Sequence, residues 1–113
     1  MTIAIIGGSL QDYNVLDQKL NELIEEKQCY LFYVVCGGRS SVGYKPGLSE
    51  TWARQNGAPV HYIFEENFNK LQYKIMAAAD YIIFILRDEQ WIKNFIMRFK
   101  ETGKHGTVIT IKE

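Results

Sequence analysis

Thr2-Ile3-Ala4-Ile5-Ile6 runs directly into Gly7-Gly8-Ser9. The first five residues carry no charge and are apolar on both alternating sets, too short a run for a helix. This is the pattern of a strand covered on both faces, as in a parallel sheet. The two glycines then predict a tight turn out of the strand. Leu16, Leu20, Leu23 and Ile24 follow at helical spacing, and Asp12 or Asn14 is placed to cap that helix.

The alternation continues to the end of the chain. Tyr30 to Val35 predicts a second strand, ended by Gly37-Gly38 and followed by a polar stretch from Arg39 to Pro46. A short helix is expected over Leu48 to Gln55, stopping at Asn56-Gly57. Val60 to Phe64 reads as a third strand, and Phe68, Leu71 and Ile75 mark a third helix running into Ala77-Ala78-Ala79. Tyr81 to Leu86 is the most apolar strand. Trp91, Phe95 and Phe99, with Ile92 and Ile96, predict a fourth helix; Gly103 and Gly106 break it before a last strand from Thr107 to Ile111. Strand and helix in strict alternation imply a single α/β domain over residues 1–113. The expected architecture is a three-layer, Rossmann-like, doubly wound parallel sheet of five strands in order 3-2-1-4-5.

Composition narrows the function. Thirteen basic residues balance thirteen acidic ones in 113 residues, so the chain lacks the basic field of a general nucleic-acid binder. Cys29 and Cys36 form neither a CxxC pair nor a disulfide framework and read as reduced thiols of a cytoplasmic protein. No signal-peptide pattern opens the chain, and no apolar run is long enough for a membrane span. No metal-ligand cluster, Walker motif or complete Gly-x-Gly-x-x-Gly is present, so neither a metal nor a cofactor is expected.

The topology places a ligand at the carboxyl ends of the strands, in the crevice between strands one and four where strand order reverses. The loops there are Gly7 to Tyr13 and Arg87 to Gln90, with Gly37 to Pro46 beside them. Gly7, Gly8, Gly37 and Gly38 would let backbone N–H groups approach an anion closely. Ser9, Ser40 and Ser41 add hydroxyl donors, and Arg39 and Arg87 can clamp an oxyanion with two prongs. Tyr13 and Tyr44 are placed to stack on a base. Asp80 reads as a turn residue, and the isolated His61 and His105 as structural. The aromatic row of the fourth helix offers more apolar width than one sheet face needs, which points to a homodimer.

Gly7-Gly8, Val35-Cys36-Gly37-Gly38, Glu50-Thr51-Trp52-Ala53, Asn56-Gly57-Ala58-Pro59-Val60 and Ala78-Ala79-Asp80 together resemble the SLOG superfamily. The resemblance is greatest to its small DUF2493 (YspA-like) members, Rossmann-like domains related to the LOG (lysine decarboxylase-like) and DprA families. It implies binding of a nucleotide or nucleotide-derived ligand, as a sensor or sequestering module of a prokaryotic or phage system. Glu50 matches a recurrent glutamate of the family and is the candidate catalytic acid if a nucleoside monophosphate is cleaved at its glycosidic bond. The Gly-Ala-Asp element common after the second Gly-Gly is replaced here by Ser41 to Pro46, and the Arg-Asn pair of helix three by Leu71-Gln72. The LOG signature Pro-Gly-Gly-x-Gly-Thr-x-x-Glu is absent. A binder is therefore expected over a nucleosidase or phosphoribohydrolase, with a protein-interaction module as the other alternative.

Overall fold

A computed structural model describes residues 1–28, 33–42 and 44–112. The strands are β1 (Thr2–Gly7), β2 (Tyr33–Gly38), β3 (Val60–Phe64), β4 (Tyr81–Leu86) and β5 (His105–Thr110). The helices are α1 (Tyr13–Lys27), α2 (Leu48–Gln55), α3 (Phe68–Ala78) and α4 (Gln90–Glu101), and a single 3-10 turn at Leu10–Asp12 leads into α1. All pairings are parallel and the order is β3-β2-β1-β4-β5, as the alternation predicted. The start of the second strand and Cys29 lie outside the described residues.

The period-two side-chain alternation of β1 divides the core. Ile3 and Ile5 face α1 and α2, joining Leu16, Leu20, Leu48 and Trp52. Ala4 and Ile6 face α3 and α4, joining Leu71, Ile75, Phe95 and Phe99. Central β4 is buried from Tyr81 to Ile85 because helices cover both its faces. The edge strands are more open, and His61 on β3 is exposed. Asp80 accepts from the Thr2 amide at 2.9 Å, consistent with its reading as a turn residue. Among the described residues, no helix is long and apolar enough to cross a membrane.

Three glycines read as punctuation lie inside strands instead. Gly37 and Gly38 are the last residues of β2 and pair with Ile63 and Phe64, so the turn expected there begins only at Arg39. Gly106 pairs with Ile82, so β5 starts at His105, soon after the Gly103 turn that ends α4 rather than after Gly106. The physical reason is close approach. A Cβ on Gly106 would lie 2.6 Å from the Phe99 ring and 2.7 Å from the Ile82 carbonyl oxygen. Gly106→Ala should therefore cost about 2–3 kcal/mol by overpacking. Urea unfolding checks this, and an unchanged midpoint would show that α4 sits farther from β5 than described.

Most of the aromatic row on α4 is core. Phe95 and Phe99 are buried, as are Ile92 and Ile96, while Trp91 remains 43% exposed. Trp91 packs edge-to-face on Phe68 with ring centroids 5.6 Å apart. The surplus apolar width of α4 thus forms a wall near the carboxyl end of the sheet.

Candidate ligand-binding site

Two positive-φ glycines shape that end of the sheet. Gly7 (φ 84°) and Gly8 (φ 78°) turn the chain out of β1 in a conformation that costs other residues strain. Gly7 also meets β4 closely: a Cβ there would lie 2.4 Å from the Ile85 carbonyl oxygen. The chain next enters the 3-10 turn, where the Ser9 amide donates to Asp12 Oδ2 at 2.9 Å. The Asp12 side chain therefore folds back on Ser9 and does not cap α1, which has no side-chain cap among the described residues.

Asp12 also closes the crevice expected between β1 and β4. Its two oxygens accept from Arg87 Nη1 and Nη2 at 2.8 and 2.7 Å, tying the β1 turn to the β4–α4 loop. Asp12 is 3% exposed. Hydrogen bonding from Arg87, which outweighs the opposing effect of burial, holds its carboxyl below the ordinary 3.8. A carboxyl depressed by folding contributes stability above its unfolded pKa, and that stability is lost as pH falls toward its folded pKa. Asp12→Asn should then cost about 1–3 kcal/mol at neutral pH, the scale of a charge-assisted bond. The cost should shrink below about pH 4. Thermal melts across pH test this; a pH-independent difference would mean the carboxylate charge is irrelevant.

The open space lies one strand over, above β1 and β2. A cavity of about 310 Å³ is floored by Gly7, Gly8 and Gly37 and reaches from the N-terminus of α2 to the wall made by α3 and α4. Its size is at the lower end for small-molecule sites. Tyr44 and Lys45 line it from the β2–α2 loop, Phe68 and Gln72 from α3, and Trp91 from α4. Aromatic faces and a few polar groups on glycine-rich backbone suit a flat ring bearing an anion. Among the described residues this lining contains no Asp or Glu.

Of the sequence-predicted residues, Gly7, Gly8, Gly37 and Tyr44 come together here. Tyr44 is held by edge-to-face contacts with Phe64 and Tyr62, centroids 5.3 and 6.0 Å apart. Burial, then the neighbouring Cys36 and Glu50, push its hydroxyl pKa up. Gly38 makes room for this ring, since a Cβ there would lie 3.3 Å from Tyr44 Cδ2. Cys36 is buried, with Sγ 3.2 Å from Ser49 Oγ, and burial raises its thiol pKa.

The other predicted residues lie outside this lining. Arg39 Nε donates to the Glu66 carbonyl at 3.1 Å, and Ser40 Oγ accepts from the Val42 amide at 3.1 Å. Ser41 is exposed in the same loop. Tyr13 is on α1, where its hydroxyl accepts from Asn56 Nδ2 at 3.1 Å. Ser9 and Arg87 belong to the Asp12 latch. Glu50 is in the first turn of α2 but is 1% exposed, its side chain buried rather than set out in solvent. Its Oε1 accepts from Tyr62 Oη and pairs with Arg54 Nη2 at 2.7 Å, while Oε2 is buried with no partner among the described residues.

Sequence reasoning missed Lys45, Gln72, Phe68 and Trp91 as lining residues. Lys45 carried a signal, a lone cation following Tyr44 in a loop at the productive end of the sheet. Gln72 carried a stronger one: a polar residue beside Leu71, Ile75 and Met76 on the buried stripe of α3. Phe68 and Trp91 read as helix-core residues, because periodicity cannot separate a core contact from a pocket wall.

No protein-family model matches the chain, and no curated protein is detectably similar to it in sequence.

Proposed function

We propose that the protein binds a nucleotide or nucleotide-derived small ligand in the cavity above β1 and β2. The observation that supports this reading most is the lining itself. Trp91, Phe68 and Tyr44 offer aromatic surface for a base, and the Gly7-Gly8 turn offers close backbone approach for a phosphate. Lys45 supplies the positive charge, since it lines the cavity whereas Arg39 does not. A role as sensor or sequestering module in a prokaryotic or phage system accords with the SLOG resemblance of the sequence. The accompanying homodimer rests on less, because Trp91 alone of the aromatic row keeps open surface; light scattering at micromolar concentration decides it. For the binding itself, a thermal-shift panel of nucleoside mono-, di- and triphosphates is the test. A ligand present at 100 times its Kd should stabilise the fold by about 2.7 kcal/mol. A panel in which every nucleotide leaves the melting temperature unchanged at millimolar concentration would refute the reading.

A further inference from the structure

Gln72 is 2% exposed, yet it lines the cavity. Its Oε1 accepts from Nη1 of Arg98 on α4. A guanidinium has donors and no acceptor, so the amide oxygen must be the atom turned toward Arg98. This leaves Nε2 with two hydrogens, and among the described residues it donates to none. Nε2 keeps some open surface, since Glu50 Oε2 is the one fully buried side-chain polar atom without a partner among the described residues, so a ligand that covers Nε2 must offer it an acceptor. A ligand acceptor entering the cavity would satisfy it. Phe68 lies one helical turn before Gln72 on the same face of α3, so a base lying along Phe68 and Trp91 would present its edge to this amide.

We propose that Gln72 is a specificity-determining donor and that the ligand is a nucleotide whose base carries an exocyclic carbonyl rather than an exocyclic amine. The proposal rests on the nucleotide reading given above. An exocyclic oxygen projects beyond the ring and reaches a recessed N–H. An amine at the same place would set donor against donor and leave both unpaired and desolvated. Arg98 is the positioning residue: it fixes which end of the amide faces the cavity.

The experiment is calorimetric titration with inosine, adenosine, uridine and cytidine monophosphates against the parent, Gln72→Glu and Arg98→Glu. The parent should bind the inosine and uridine nucleotides at least about tenfold more tightly than their amino counterparts, the scale of one unpaired buried donor. In Arg98→Glu the new carboxylate accepts from Nε2 and turns Oε1 into the cavity, so the preference should invert. Gln72→Glu keeps the Arg98 pair and the side-chain volume but presents only acceptors. It should lose the inosine nucleotide by at least about tenfold, and it carries the test if Arg98→Glu does not fold. Equal affinities for oxo and amino nucleotides in the parent, or a preference that neither variant moves, would overturn the role of Gln72 while leaving the nucleotide site standing. Binding of none of the four would overturn both.

Discussion

Gly7→Val should remove a large part of the stability of the fold. Gly7 has φ 84°, which costs a side chain about 1–2 kcal/mol. The valine Cβ would also fall 2.4 Å from the Ile85 carbonyl oxygen, which is backbone of the central strand, and 2.7 Å from Ile92 Cδ1. Neither neighbour can retreat cheaply, because Ile85 and Ile92 are both fully buried. Strain and overpacking together reach about 4 kcal/mol or more, against a total stability of about 5–15 kcal/mol for an ordinary domain. Gly57 supplies the control: it has φ 68° but nothing within 4 Å of a Cβ. Gly57→Val should lose only about 1–2 kcal/mol, the conformational part. Denaturant unfolding of the two variants separates these contributions. Equal losses would mean that β1, β4 and α4 do not meet as closely as described.

Removing the aromatic wall should cost the most binding. Phe68 and Trp91 are 40% and 43% exposed, so Phe68→Ala/Trp91→Ala should stay folded. Loss of stacking on one ring and of edge contact with the other should weaken nucleotide binding by about 1–3 kcal/mol, or at least about fivefold. Titration of the double variant against the parent measures it directly. Undiminished affinity in a folded double variant would place the base elsewhere. Lys45→Ala and Arg39→Ala form a companion pair, with the larger loss expected at Lys45.

The strand order was legible because β1 and β4 are apolar on both alternating sets, which only a doubly covered parallel strand needs. The α2 stop at Asn56-Gly57 was equally plain, and Ala58 N donates back to Ala53 O at 2.8 Å there. The carboxyl end of β2 and the start of β5 were misread for a single reason. Gly37, Gly38 and Gly106 look like breakers along the chain, but each leaves space for a ring or side chain from another element. A Cβ on Gly37 would meet Ile75 and Leu71 of α3 at 3.2 and 3.3 Å. That requirement belongs to tertiary packing and has no local signature.

The site was half legible. The sheet rule led to the carboxyl ends, and Gly7, Gly8, Gly37 and Tyr44 do come together there. The crevice between β1 and β4 is instead latched by Asp12 and Arg87, residues 75 apart in sequence. A pairing at that separation cannot be read from spacing. Arg39 shows the same gap: the Arg-Ser-Ser run suggested an anion clamp, but its guanidinium reaches the Glu66 carbonyl of the next loop. The role of Gln72 has no local signature, because its partner Arg98 stands on another helix.

The central claim is that a nucleotide enters the cavity above β1 and β2. A ¹H–¹⁵N correlation titration with inosine monophosphate tests it most directly. Saturable shifts are expected at the amides of Gly8, Gly37 and Lys45, the side-chain amide of Gln72 and the Trp91 indole N–H. Resonances from the exposed face of α1, such as Gln18 and Asn21, should stay in place. Shifts concentrated on α1, or at the Asp12–Arg87 latch with the cavity residues unmoved, would contradict it.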